Sequence, residues 1–148
     1  LRIHVVNDPG GHPDLYIRPD TLATGLERGG APAYEATFGV LPAAIETAHD
    51  ETRVIFTSAK VHIGNAAERL PRLQWVQTVS AGVEAFLPTL PTNITLTNAS
   101  GVHSEKGAEF ILTAALMLNY RIPAFVEDRQ ARRWQPEFVT PLRDKTVT

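Results

Sequence analysis

The chain has no cysteine. That removes disulfides, thiolate nucleophiles and cysteine-ligated zinc, and it fits a reducing compartment, so a cytoplasmic location is the default expectation. Basic charge is not in excess: 14 Lys and Arg against 16 Asp and Glu leave a formal net charge of −2. With no surplus of cations to neutralise phosphates, nucleic acid is not an expected partner. Long apolar runs are missing as well. The longest, around Phe110–Leu118, is far shorter than the ~20 residues that a bilayer-spanning helix needs, so no membrane association is expected. No signal-peptide pattern opens the chain, because Leu1-Arg2-Ile3-His4 leads straight into a strand-like segment. The absence of an initiator methionine implies a start that is trimmed or lies upstream. No GxGxxG, P-loop, GxSxG or HExxH motif occurs, and the five histidines (His4, His12, His49, His62 and His103) show no metal-ligand spacing.

What remains is an ordinary globular composition: 148 residues, 43% hydrophobic and 20% charged, enough for one domain with or without an extension. Short β-rich runs alternate with helical patterns. Strands are expected at Ile3–Val6, Tyr34–Val40, Val54–Thr57, Leu73–Val79 and Ile94–Thr97. Helices are expected from Pro19 to a stop at Gly29-Gly30, over Ala43–Ala48 with Pro42 in the first turn, and from Asn65 to Leu70 before Pro71. Alternation of this kind gives βαβ units, right-handed crossovers and helices on both faces of a parallel sheet. The expected product is a doubly wound α/β domain over residues 1–100.

Residues 101–148 read differently. Ser104–Arg121 forms a long helical pattern that is apolar nearly all round, with Ala108, Ile111, Leu112 and Ala115 on one face and Phe110, Ala114, Met117 and Leu118 on others. Such a helix needs cover on several sides, which points to a position between domains or subunits. Pro123 is expected to break or kink it, before a polar helix over Ala124–Arg133. The arm Trp134–Leu142 carries two prolines and exposed-type aromatics. Lys145-Thr146-Val147-Thr148 begins a β-like run, as at a domain junction.

Chemistry-bearing residues fall at the carboxyl ends of the strands, where open α/β sheets bind ligands. Ser80-Ala81-Gly82-Val83 follows the fourth strand. Gly82 permits close approach and unusual backbone angles, and successive amides there can point at one small anion. On spacing alone the loop reads equally as a plain βα turn. Asn98-Ala99-Ser100-Gly101 follows the fifth strand and should lie beside it, or serve only as a connector. His12, in the loop after the first strand, reads as a substrate contact or, more simply, as a solvated side chain. Glu105 and Glu109 lie four apart on the long helix. Structural use suits both, Glu105 by its favourable place in the first turn. Arg129, Arg132 and Arg133 with Glu127 and Asp128 read as a solvated helix face. No complete catalytic set is visible.

The segment Leu70–Glu84, with Leu73-Gln74-Trp75 followed by Gly82-Val83-Glu84, resembles the D-isomer-specific 2-hydroxyacid dehydrogenases, in particular their glyoxylate/hydroxypyruvate reductase branch. Asn98-Ala99-Ser100-Gly101 with Ala108-Glu109 is similar to that family's Asn-x-x-Gly … Val-Ala-Glu stretch. Trp134 falls where the family often has a tryptophan, and Leu142–Thr148 resembles its Leu-x-Gly-Lys-Thr-Val lead-in to the dinucleotide-binding strand. The resemblance is diffuse before residue 50 and specific from Leu70 onward. It implies a flavodoxin-like substrate domain of an NAD- or NADP-dependent enzyme that interconverts small 2-oxoacids and D-2-hydroxyacids. The nicotinamide domain, with its catalytic Arg, Glu and His, would lie beyond this chain.

By the same resemblance, the amides of Ser80–Val83, Ala81 and Gly82 above all, hold the substrate carboxylate. Lys106 and Gly107 lie near the nicotinamide, residues 101–141 build a homodimer, and Trp134 reaches toward the partner's site. Two departures stand out. Lys106-Gly107 replaces a small hydroxyl residue followed by valine, and glycine there weakens the helix by about 1 kcal/mol relative to alanine. Asp144 replaces a glycine. The competing expectation is a stand-alone flavodoxin-like binding or regulatory module without catalysis.

Overall fold

The computed structural model describes residues 1–146, so the last part of the β-like run, Val147-Thr148, lies outside the described residues. Two compact units divide the chain, one over Leu1–Ser100 and one from Gly101 onward.

The first unit is a five-stranded parallel sheet in the order β2-β1-β3-β4-β5. The strands are β1 (Arg2–Asn7), β2 (Glu35–Val40), β3 (Val54–Thr57), β4 (Trp75–Thr78) and β5 (Thr95–Thr97). This is the doubly wound order with its topological switch between β1 and β3. Successive side chains of a strand face opposite sides, and the two cores follow from that. On one side, Ile3 and Val5 of β1 and Val54 of β3 pack with Leu22 of α1 (Pro19–Arg28). On the other, Val6, Ile55 and Val76 meet Ile63 and Ala66 of α2 (Ile63–Arg69). Phe56 and Trp75 sit edge to face across β3 and β4, with centroids 5.6 Å apart.

The helix ends follow local chemistry. Pro19 starts α1, and Gly30 takes a left-handed φ of +64° just beyond it. His62 Nδ1 caps α2 by accepting from the Asn65 N–H at 3.2 Å. The helix expected over Ala43–Ala48 is reduced to a single 3₁₀ turn at Ile45–Thr47, and Pro42 precedes it through a cis bond to Leu41. Its position is set by packing. Buried Gly39 lets the Ala44 backbone come so near that a Cβ on Gly39 would lie 2.6 Å from the Ala44 carbonyl oxygen.

In the second unit, α3 runs from Ser104 to Asn119 and α4 from Ile122 to Gln130. The break falls earlier than expected, at Tyr120 and a left-handed Arg121. Pro123 therefore does not kink α3. It occupies the first turn of α4, where no intrahelical N–H is required. Among the described residues no single helix is long and apolar enough to cross a membrane; α3 and α4 meet that test only together, bent by 58°. Phe110 and Leu118 on α3 are 74% and 72% exposed, and Ile111 and Leu112 are also exposed.

Candidate functional site

The loop after β4 is shaped by where its carbonyls go. The Val79 N–H still belongs to the ladder and donates to the Thr57 carbonyl at 3.0 Å. The Ser80 N–H turns back to Thr78 Oγ1 at 3.1 Å, and the Ser80 hydroxyl donates to the Gly82 carbonyl at 2.5 Å. Asn98 Nδ2, on the loop after β5, donates to the Ala81 carbonyl at 2.7 Å, and the Ala99 N–H donates to the Ser80 carbonyl at 3.1 Å. The Val83 carbonyl accepts from the Phe86 N–H at 2.9 Å. Four consecutive carbonyls are thus held by donors of the protein. Among the described residues, the amides of Ala81, Gly82 and Val83 donate to nothing. A run of free N–H groups with the opposing carbonyls tied away is a partial positive charge fixed in place.

This arrangement refines the reading of two residues. Ser80 is a brace rather than an amide donor, since its own N–H is already used. Gly82 is not among the residues with positive φ, so left-handed backbone is not what the site requires of it. A Cβ there would stand 2.9 Å from Glu84 Oε2, so the absent side chain instead leaves room for a neighbour. Gly101, in the turn leading into α3, does adopt a positive φ, of +89°.

Beside the loop lies a cavity of about 380 Å3 between the carboxyl ends of β3 and β4. Ser58, Ala59 and Lys60 line it from the β3 side, and Ser80, Gly82, Glu84, Ala85 and Phe86 from the β4 side. Its volume falls at the lower end of the range of small-molecule pockets. Lys60 and Ser58 were not singled out from the sequence. The signal was available, because Ser58 follows β3 directly and Lys60 stands in the same loop, at the carboxyl end of a parallel strand where ligands bind. Ser58 is positioned from the neighbouring strand: its hydroxyl donates to Asn7 Oδ1 at 3.1 Å, and its oxygen accepts from the Asp8 N–H at 3.3 Å. Asn7 is 5% exposed and also grips Ile17, accepting from its N–H at 2.9 Å and donating to its carbonyl at 3.1 Å.

Other candidates resolve into structure. His12 is exposed and caps a short 3₁₀ turn, its Nδ1 accepting from the Asp14 N–H at 3.3 Å. Glu105 and Glu109 are both exposed. Arg133 pairs with Asp128 at 2.8 Å and Arg121 with Glu137 at 2.5 Å. Lys106 and Gly107 belong to the second unit, in the first turns of α3, and a Cβ on Gly107 would meet nothing within 4 Å. Trp134, 89% exposed, edges a separate cavity of about 500 Å3 formed with Phe125 and Pro136.

A buried histidine was also missed. His4 in β1 has 0% exposure. Its Nε2 lies 2.8 Å from the Ala44 carbonyl, which only accepts, so Nε2 carries the proton. Nδ1 then accepts from the Thr37 hydroxyl at 2.7 Å. Burial holds its pKa below the usual histidine value, partly offset by the bond to Ala44. Its partners lie 33 and 40 residues away, so no local pattern marks it.

No protein-family model and no curated protein matches the chain. Solved structures do. A D-isomer specific 2-hydroxyacid dehydrogenase family protein from Aeromonas salmonicida subsp. salmonicida is 18% identical with a TM-score of 0.67, over 94% of this chain and 42% of that one. A D-isomer specific 2-hydroxyacid dehydrogenase from Xanthobacter autotrophicus, solved in complex with NADPH and MES, is 18% identical with a TM-score of 0.66, over 93% of this chain and 42% of that one. A phosphoglycerate oxidoreductase from Rhizobium etli is 16% identical with a TM-score of 0.55, over 88% and 40%. The chain therefore spans about two fifths of the length of the structures it matches. At these identities the likeness establishes the fold: an α/β unit with a parallel 2-1-3-4-5 sheet, followed by helices, as found in part of these dehydrogenases.

Proposed function

We propose that this chain is the substrate-binding part of an NAD- or NADP-dependent oxidoreductase that interconverts small 2-oxoacids, of the size of glyoxylate or hydroxypyruvate, and D-2-hydroxyacids. The observation that carries the reading is the loop Ser80-Ala81-Gly82-Val83, whose carbonyls are tied away so that three amides stand free beside a small cavity. The amides of Ala81, Gly82 and Val83 hold the substrate carboxylate, and Ser80 and Asn98 keep the loop from turning its carbonyls toward it. Lys60 supplies the full positive charge that backbone dipoles lack. Neither Lys60 nor Glu84 has an ion-pair partner among the described residues.

A nicotinamide cofactor supplies the hydride in this chemistry. The chain itself holds no GxGxxG fingerprint, and the reading assigns the dinucleotide cradle to another domain. The open surface at Gly107 and the exposed Lys106 fit an edge contact with such a cofactor held by another domain. In this reading the chain binds the oxoacid and orients it. The exposed Phe110, Ile111, Leu112 and Leu118 of α3 support a homodimer through residues 101–141, with Trp134 directed toward the partner. Light scattering should then show a dimer. A monomer at every concentration refutes the dimer and favours the stand-alone binding module.

The test of the binding reading is an amide NMR titration of the chain with glyoxylate. Shifts are expected at Ala81–Val83, weakened about tenfold or more by Lys60→Met, on the scale of one charge-assisted contact. The activity test is a longer chain that includes the following domain, supplied with NADH or NADPH. Absence of both loop shifts and cofactor oxidation with any small 2-oxoacid would overturn the reading.

A further inference from the structure

The carboxylate of Glu84 is an unexpected neighbour for an anion site. It folds back over Gly82, with Oε2 only 2.9 Å from the point a Cβ on that glycine would occupy, and it lines the same cavity as Lys60. The two are the charged side chains of the cavity lining, one of each sign, and they do not pair with each other: no contact between them falls within 4.0 Å. A ligand with one carboxylate on the free amides balances Lys60. A second carboxylate on the same small ligand has no cation left to meet and is brought up against Glu84.

We infer that Glu84 is a specificity-determining residue that makes this cavity favour monoanionic 2-oxoacids over dianionic, dicarboxylic ones. The inference rests on the carboxylate-binding reading and adds to it the charge class of the ligand. Because Glu84 is exposed, its repulsion is partly screened, so its effect on the ratio of affinities is about three- to tenfold and shrinks as salt is raised. This is selection by an unfavourable contact with the wrong ligand rather than by an extra contact with the right one.

Oxamate and oxalate test it, since they match closely in shape and differ by one charge. The full chain, labelled for amide NMR, is titrated with each, as wild type and as Glu84→Gln. The expected result is that wild type prefers oxamate and that Glu84→Gln raises the oxalate-to-oxamate affinity ratio about three- to tenfold, with the gain reduced at high salt. Equal gains for both ligands would show that Glu84 merely fills space and would overturn the inference. An unchanged ratio would overturn it too, while leaving carboxylate binding intact. Loop amides that respond to neither ligand in wild type would instead sink the underlying binding reading, and the charge filter with it.

Discussion

Asn7 ties the carboxyl end of β1 to the cavity wall, and its removal should be costly. Asn7→Ala deletes three hydrogen bonds at a 5% exposed position: two with the Ile17 backbone, at 2.9 and 3.1 Å, and one from the Ser58 hydroxyl at 3.1 Å. A hydrogen bond of this kind contributes about 1 kcal/mol net, and a buried group left unpartnered costs about 1–3 kcal/mol. Ile17 is only half-buried, so water recovers part of its loss. The expected destabilisation is about 2–3 kcal/mol, roughly two to three times that of Ser58→Ala, which should cost about 1 kcal/mol. Urea unfolding provides the measurement. The chain has two tryptophans, so a Trp134→Phe background leaves Trp75, in β4, as the reporter of the sheet. The double mutant should show coupling of about 0.5–1 kcal/mol between positions 7 and 58. A loss below ~0.5 kcal/mol for Asn7→Ala, or strict additivity of the two substitutions, would refute the account of this network.

Three further outcomes follow. Gly39→Ala places a Cβ 2.6 Å from the Ala44 carbonyl oxygen and 2.8 Å from the Ala44 Cα, so backbone must move; calorimetry should show a loss of about 2 kcal/mol or more. His4 has a folded pKa below its unfolded value of 6.5, so the unfolded chain binds its proton first. Its contribution is therefore full above that pH and is lost as pH falls toward the folded pKa, and denaturation curves of His4→Asn should show a shallower decline over that range. Ser80→Ala frees the Gly82 carbonyl from its 2.5 Å bond while burying nothing new, so stability should change by under ~1 kcal/mol while carboxylate affinity falls severalfold; unchanged affinity in the titration would show that the brace does not matter.

Much of the architecture was readable because it depends on local pattern. Val54–Thr57 is apolar on successive positions and became a strand of those bounds. Pro19 and Gly29-Gly30 bracketed the first helix because proline and glycine act on the backbone at their own positions. Most of the failures share one cause. Ala43–Ala48 carries helix-forming residues, but its conformation answers to the sheet beside it: the Ala44 carbonyl accepts from Nε2 of His4, 40 residues away in sequence. The break after α3 was assigned to Pro123, whereas Arg121 takes the left-handed turn that ends the helix. The β4 loop was legible as a place, though not its mechanism: that the Ser80 amide is consumed, and that Asn98 holds the Ala81 carbonyl, depends on β5 lying beside β4. His4 was invisible for the same reason, since its partners Thr37 and Ala44 lie 33 and 40 residues away.

The bond from Asn98 to Ala81 has a dynamic consequence. β5 is three residues long and forms the outer edge of the sheet, and edge strands of that length open locally at low free energy. Each opening would release the Ala81 carbonyl and let the loop lose its polarity, so the free amides keep their direction only while the edge is closed. A ligand seated on those amides draws its affinity from the closed population and must in turn enlarge it. Amide hydrogen exchange at Thr95–Thr97 should therefore slow on carboxylate binding, although no atom of β5 lines the cavity.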